Sequence, residues 1–480
     1  MHIPKLQLLI DNQDVETSDY LEVRDPGRFA DVVGRAAQAD ANHVDLAVQA
    51  AHRAFPGWAA TPLESRIERV LAVADLLESM VDELVPIVVA ESGLLPQEIR
   101  MEIAGSAFAT RDNVDAARVF LQVKRVEDDT SWVTVEKKPV GVIAGFVPWN
   151  APIVLMIRKL APALVCGNTI VIKTPPTTPL GVGTLLKRAA ALFPPGVINV
   201  LHGGSDTGSA LVAHPLVRKI SFTGGGKAAT AIMKSAADTI KSVQFELGGN
   251  DPAIVLDDMD LDAQMPTLVA GTFHRSGQFC FAVKRIYVPR AIYDTFFEKF
   301  SAQVAKFRIG HPLDPRTTFG PVNNAAQYRY VQDLVARAKD SGATVVELGE
   351  PVDPDTWQHG YYLRPVLVKH PTPDQEIVTC EQFGPVVPVV PYDSEDDVIA
   401  MANDSEYGLG SSIWSTNFER AVGMARRIEA GMTYINKNAQ SRLGRRYMPF
   451  GGVKQSGIGT ENGELGLADY VEYHAINFHT

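Results

Sequence analysis

Cysteine is scarce: Cys166, Cys280 and Cys380 are the only three in 480 residues, far apart and odd in number. A disulfide framework is thereby excluded, and without Cys or His clusters at close spacing no metal site is expected. Basic charge is not in excess either. With 45 basic against 56 acidic residues the net charge is −11, so neither nucleic acid nor an anionic membrane is expected as the main partner. The apolar run after Met1 is too short for a signal peptide and soon meets acids, so a reducing cytoplasm is the expected location. One stretch, Val140 to Ile157, lacks charge altogether. It holds Pro148, Asn150, Pro152 and two glycines, which break the backbone pattern of a spanning helix. It is expected to form a strand, a loop and a helix start. Internal repeats and low-complexity tracts are also missing.

What is present is enough apolar residue, 46% of the chain, to fill more than one core, and the length favours two or three domains. Apolar residues at helical spacing predict helices over Ala41 to Gly57, opened by Asp40 or Asn42, over Pro62 to Glu91 and over Ser106 to Phe120. Val123 to Val140 alternates like two strands, an arm reaching out of the domain. From Gly141 onward, short apolar β-rich runs alternate with helices: Gly141 to Val147, Thr169 to Lys173, Val197 to Leu201 and Lys219 to Thr223. That rhythm predicts a doubly wound α/β fold with a parallel sheet covered on both faces. Ligands then bind beyond the carboxyl ends of the strands, at loops beginning at Pro148, Lys173 and Thr223. A second α/β series follows a hinge at residues 247–249, and strand-like alternation returns from Leu467 to Thr480.

Cys280 stands in Gly277-Gln278-Phe279-Cys280-Phe281. Taken alone, a thiol between two phenylalanines is a small buried hydrophobe, since reactivity needs a lowered thiol pKa or an adjacent base. Two glycine-rich turns compete for a dinucleotide. Gly203 to Gly208 follows a strand but carries Asp206, which repels phosphate. Phe222-Thr223-Gly224-Gly225-Gly226-Lys227 follows a strand, opens a helix and carries a cation, so it is the better cradle. Lys173, after an apolar strand, is either a ribose or phosphate ligand or a solvated strand end.

Seven motifs occur in order: Pro148-Trp149-Asn150, Lys173, Phe222-Thr223-Gly224, Glu246-Leu247-Gly248-Gly249, Gly277 to Cys280, Glu381 to Val386, and Pro449-Phe450-Gly451-Gly452. Together they resemble the aldehyde dehydrogenase superfamily over nearly the whole chain. The resemblance implies a dinucleotide-binding domain (1–118 and 141–247), a catalytic domain (248–458), and an oligomerisation arm with a C-terminal strand (119–140 and 459–480). It implies NAD or NADP as cofactor, an aldehyde as substrate and a homodimer or homotetramer.

By the same resemblance Cys280 is the nucleophile and Asn150, with the Cys280 backbone N–H, the oxyanion donor. Glu246 is the base that activates water on a thioester, and it separates the chain from CoA-acylating members; read alone, it could equally start a helix. Lys159 positions groups or relays a proton. Cofactor contacts fall on Pro148, Trp149, Lys173, Pro176, Phe222, Thr223, Gly224, Gly225, Leu247, Gly248, Glu381 and Phe383.

The chain departs from the family pattern in places. Pro176 stands where many NAD-preferring members carry a ribose-binding glutamate, so NADP is expected to serve at least comparably to NAD. Gly225 replaces a frequent serine and Ala229 a frequent glycine. The segment between Asn436 and Pro449 is about three residues longer than usual by that comparison and holds Arg442, Arg445 and Arg446. Arg158 matches an arginine of semialdehyde-oxidising members and could pair with a substrate carboxylate, whereas Phe279, Phe281 and Phe450 suit an aromatic or medium-chain aldehyde. A cofactor-independent cysteine esterase or acyl transferase, using Cys280 and Glu246 without a dinucleotide, is the alternative class.

Overall fold

A computed structural model describes residues 4–438 and 443–479. Among these, two large sheets divide the strands. The first runs Gly457–Ile458, Ser242–Glu246, Val217–Thr223, Val142–Phe146, Thr169–Lys173, Ile198–Leu201, Leu8–Ile10 and Gln13–Val15. The five strands from Ser242–Glu246 to Ile198–Leu201 are parallel. Val142–Phe146 and Thr169–Lys173 are buried at every residue, which is why they read as unbroken apolar runs rather than alternating ones.

The chain starts this parallel series in the middle, at Val142–Phe146, and winds outward through Thr169–Lys173 and Ile198–Leu201. It then crosses back to lay Val217–Thr223 on the other side. The connections therefore diverge between Val142–Phe146 and Val217–Thr223, where an open α/β sheet leaves a crevice. Register sets the strand ends level: Phe146 lies opposite Lys173 and Phe222, and Thr223 opposite Glu246. The loops that follow these ends hold Trp149 and Asn150 on one side of the crevice and Gly224 and Gly225 on the other.

The second sheet has the order Thr344–Glu347, Val366–Lys369, Val386–Tyr392, Val283–Pro289, Asp251–Val255, Gly410–Trp414 and Met432–Ile435. Only the edge pair Thr344–Glu347 with Val366–Lys369 is antiparallel. A separate three-stranded sheet joins Lys124–Glu127, Ser131–Pro139 and the C-terminal Val471–His479.

Several boundaries differ from the sequence reading. Asp40, not Asn42, opens the first helix, Ala41–Ala59, by accepting from His43 N. The long helix expected over 62–91 is two, Leu63–Ser79 and Val81–Ser92, meeting at Met80. The helix expected from Ser106 begins at Pro96 and runs to Phe120, because a proline suits a first turn that needs no amide donor. Leu467, expected in a strand, lies in a short helix, Gly463–Ala468. Gly457–Ile458 lies on the edge of the first sheet, where Gly457 pairs with Glu246 and Ile458 with Phe245. Among the described residues no helix is long and apolar enough to cross a membrane; Val140 to Ile157 is the strand Val142–Phe146, a loop, and the start of helix Pro152–Val165.

Candidate active site

The loop that presents Cys280 is held in a costly conformation. Between helix Leu261–Phe273 and strand Val283–Pro289, three successive residues are left-handed: Arg275 (φ 53°), Ser276 (φ 56°) and Gly277 (φ 75°). Two of them carry side chains that disfavour this region, by about 1–3 kcal/mol each. Buried polar contacts over-determine the loop. Arg275 N donates to Glu98 Oε1 (2.8 Å), and its guanidinium donates to Asn150 O (2.7 Å) and Glu102 Oε2 (2.7 Å). Ser276 Oγ donates to Gly320 O at 2.8 Å. A Cβ at Gly277 would lie 2.3 Å from Gly384 O, so only glycine fits there. Gln278, fully enclosed, accepts from Asn323 N (2.8 Å) and donates to Arg275 O (3.0 Å). The Gly-Gln pair before the thiol is thus a mechanical clamp.

Two cavities meet at the thiol. One, of about 310 Å³, is lined by Pro148, Trp149, Thr223, Gly224, Gly225, Glu246, Leu247, Gly248, Glu381 and Phe383. The other, of about 460 Å³, is lined by Phe279, Phe281, Arg158, Val154, Met101 and Arg445 among others. Cys280, Asn150 and Leu155 line both. Burial pushes the Cys280 thiol up to about 12, opposed by the cations Lys284 and then Arg158. Lys284 is itself buried; its Nζ donates to Phe279 O (3.2 Å) and to Cys280 O, and pairs with Glu381 Oε1 (3.3 Å). Asn150 Nδ2 donates one bond to Gln278 O (3.0 Å), which leaves its second N–H for another acceptor.

Glu246 ends the strand Ser242–Glu246 and so does not start a helix. It is 3% exposed, and neither carboxyl oxygen has a hydrogen-bond partner. Burial, and then the neighbouring Glu461, hold its carboxyl well above the usual carboxylate range; Lys159 and Arg158 oppose them. Lys159, with no exposure, donates to Thr223 Oγ1 (2.7 Å) and pairs with Glu461 Oε1 at 3.5 Å. Burial lowers its pKa. Arg158 donates to Glu461 Oε2 (3.0 Å) and lies 4.4 Å over the Phe450 ring.

On the side of the smaller cavity, Gly225 opens helix Gly226–Ala237 with no side-chain cap, and a Cβ there would meet nothing within 4 Å. The open amides suit pyrophosphate. Phe222 is the floor beneath this turn rather than part of its surface: it packs between Phe146 and Phe245, and a Cβ on Gly224 would strike its ring at 2.5 Å. Gly248 leaves room for Glu381, whose Oε2 would lie 2.1 Å from a Cβ, and Glu381 accepts from Gly249 N at 3.1 Å. Phe383 (φ 46°) is held by Gln327 Nε2 donating to its carbonyl (2.9 Å) and meets Trp149 edge-on at 5.5 Å.

Lys173 and Pro176 do not line the cavity at Cys280. Lys173 is buried at its strand end, with Nζ donating to Thr174 O (3.0 Å), and burial brings it down to about 8. Pro176 is exposed beyond it. The competing turn opens helix Ser205–Ala213, and Thr207 binds Ala39 O (2.6 Å) away from both cavities. An uncapped helix start, glycine gaps and the flanking Glu381 fit a dinucleotide; among the described residues no His, Cys, Asp and Glu cluster fits a metal.

Sequence reasoning missed Glu461, which joins Arg158 and Lys159 from some 300 positions away (|i−j| = 303 for Arg158). It also missed Arg275, Glu98, Glu102 and Lys284. Of the three loop arginines, Arg442 lies outside the described residues. Arg446 turns to Asp115 (3.3 Å), and Arg445 turns into the larger cavity.

Similarity to known proteins bears on these cavities. The profile of the aldehyde dehydrogenase family matches residues 13–476. An aldehyde dehydrogenase of a Fusarium species is 36% identical over 433 residues, 90% of each chain. A glutarate-semialdehyde dehydrogenase of Pseudomonas aeruginosa is 33% identical over 467 residues, 96% of this chain and 94% of the relative. The crystal structure of a betaine aldehyde dehydrogenase of Staphylococcus aureus in complex with NAD+ superposes with a TM-score of 0.94 at 29% identity, covering 98% of this chain and 94% of that one. The chain belongs to the aldehyde dehydrogenase family, oxidoreductases that use NAD or NADP.

Proposed function

We propose that the protein oxidises an aldehyde to a carboxylic acid through a thioester on Cys280. The observation that carries this reading is the thiol shared by two cavities, with the unpartnered Glu246 carboxyl lining the smaller one. The aldehyde enters by the larger cavity. Cys280, deprotonated, adds to the carbonyl carbon and forms a thiohemiacetal. Its oxyanion accepts from the free N–H of Asn150 Nδ2 and from Cys280 N–H. Bound along Gly224, Gly225 and Glu381, NAD or NADP supplies the hydride acceptor. Water gives a proton to Glu246 and its oxygen adds to the carbon of the resulting thioester; the C–S bond breaks, the carboxylic acid leaves and Cys280 is returned as the thiolate. A carboxyl raised by burial is suited to that transfer near neutral pH. Lys159, held between Thr223 and Glu461, carries the proton onward.

Phe279 and Phe281 meet edge-to-face at 5.0 Å, and Phe281 and Phe450 at 5.8 Å. This aromatic wall suits the body of an aromatic or medium-chain aldehyde. A semialdehyde is the second reading, favoured by Arg158 in the cavity and by the relative that acts on glutarate semialdehyde. With no carboxylate on Pro176 to repel a 2′-phosphate, NADP is used at least comparably to NAD.

The subunits assemble as a homodimer or homotetramer through the sheet of Ser131–Pro139 and Val471–His479. Val126, Val133, Tyr473 and Phe478 are exposed on it, and such strands need a cover. Light scattering that gives a monomer mass contradicts this. The free thiols suit a reducing cytoplasm. For the reaction, aldehydes of aromatic, aliphatic and semialdehyde type are assayed with both cofactors for reduced dinucleotide. Ester hydrolysis without any dinucleotide binding would replace this reading with a cysteine esterase.

A further inference from the structure

Arg445 is the unusual cation of the larger cavity. Its backbone is anchored: the turn Arg445–Tyr447 follows Gly444 (φ 97°), and Arg446 N donates to Asp112 Oδ2 at 2.5 Å. The side chain lies over helix Pro96–Phe120 where that helix carries Gly105; a Cβ there would be 3.3 Å from Arg445 Nη2. A glycine inside a helix costs about 0.5–1 kcal/mol relative to alanine, and here it leaves a bare face for the guanidinium. Nη1 of Arg445 is buried without a hydrogen-bond partner.

The acids of the cavity are already committed. Glu98 accepts from Leu95 N and Arg275 N, and Glu102 from Ile153 N, Val154 N and the Arg275 guanidinium. Arg158 spends Nη1 on Glu461 while its Nε is also buried and unpartnered. Arg445 and Arg158 repel each other across the cavity, and burial followed by that repulsion brings Arg445 down to about 10, which leaves it a cation at neutral pH. Two guanidinium groups thus each keep a buried N–H unpartnered on the same cavity that reaches Cys280. Leaving charged donors unpaired is expensive, and a carboxylate is the acceptor whose geometry matches them.

We infer that Arg445, together with Arg158, forms a carboxylate-binding subsite, and that the substrate is an aldehyde bearing an anionic group at its far end with an apolar or aromatic body between. This rests on the aldehyde-oxidising reading and names its substrate class. Arg445 is then the residue that selects for the charged tail, Arg158 the one that Glu461 keeps aligned, and the phenylalanine wall the part that holds the middle.

The test uses matched pairs, 4-carboxybenzaldehyde against 4-methylbenzaldehyde and 5-oxopentanoate against pentanal, with wild type, Arg445→Ala and Arg445→Lys. The ratio of kcat/KM for the charged over the neutral partner is expected to exceed one in the wild type. It is expected to fall about tenfold to a hundredfold in Arg445→Ala, as losing one partner of a buried charged pair does, and to recover partly in Arg445→Lys. Calorimetric binding of terephthalate to Cys280→Ser, with and without Arg445→Ala, gives a readout independent of turnover: weakening of the same size supports the subsite. Equal ratios in wild type and Arg445→Ala, or unchanged terephthalate binding, overturn it. Oxidation of the neutral aldehydes alone overturns this inference and leaves the aldehyde-oxidising reading standing. Terephthalate binding that depends on Arg445, with no aldehyde oxidised, supports the subsite and removes the reaction.

Discussion

Desolvation pushes both the Cys166 and the Cys280 thiol up to about 12. Cys166 ends helix Pro152–Val165 inside an apolar core, with the Leu467 carbonyl 3.9 Å from its sulfur and neither described cavity reaching it. Cys280 is only half-buried, with a cavity on either side, Lys284 on its own carbonyl, and an amide donor in Asn150. Desolvation raises the thiol in both places and so does not distinguish Cys166 from the proposed nucleophile Cys280. Each thiol also has a cation that opposes burial, Arg66 for Cys166 and Lys284 for Cys280; what differs is access and a preset donor for an oxyanion.

Substituting each thiol is the largest way to break the comparison. Cys280→Ser is expected to lower kcat by roughly 10⁴-fold or more, because the other groups act only around the nucleophile. Cys166→Ser is expected to leave kcat within about twofold while costing roughly 1–3 kcal/mol for a hydroxyl in an apolar site; steady-state kinetics and denaturant melts separate the two. Asn150→Ala comes next, with about a hundredfold to a thousandfold loss in kcat. Its check is kinetics beside an unchanged circular dichroism spectrum, since Arg275 binds the carbonyl of residue 150 and not its side chain.

Alkylation by iodoacetamide sharpens the contrast further. The rate at Cys280 should climb as pH rises toward the thiol's raised pKa, because only the thiolate reacts. Lys284 lowers that pKa, so Lys284→Met raises it, leaves less thiolate at a given pH and slows alkylation by about tenfold. Cys166 should stay unmodified in both proteins, as peptide mapping will report. A smaller effect concerns the dinucleotide. Burial brings Lys173 down to about 8, so as pH rises through that value the ammonium is lost, and affinity for NADP should fall by about threefold to tenfold. Fluorescence titration should find the dependence gone in Lys173→Met.

Much of this arrangement was legible in the sequence because it rests on local signals. The buried strands Val142–Phe146 and Thr169–Lys173 announce themselves as apolar runs, and the Gly224-Gly225 turn as a strand-to-helix glycine pair. The roles proposed for Cys280, Asn150 and Glu246 come only from an ordered set of motifs, since each residue alone has a bland reading. The groups that hold them were not legible. Glu461 reaches Arg158 and Lys159 only when strand Gly457–Ile458 returns to the first sheet, and no local pattern marks that return. Glu98 and Glu102 read as ordinary helix-surface acids until helix Pro96–Phe120 packs them under the left-handed Arg275. Arg445 and Arg446 are adjacent and chemically alike in sequence, yet one enters a cavity and the other an exposed ion pair with Asp115.

The most direct measurement concerns the division of work between Cys280 and Glu246. Glu246→Gln is mixed with aldehyde and NAD, quenched, and analysed by intact mass and by peptide mapping. The expected result is one equivalent of reduced dinucleotide per active site, then a stall, with the acyl mass on the peptide containing Cys280. Continued turnover at the wild-type rate, or an acyl group on any other residue, would contradict the account.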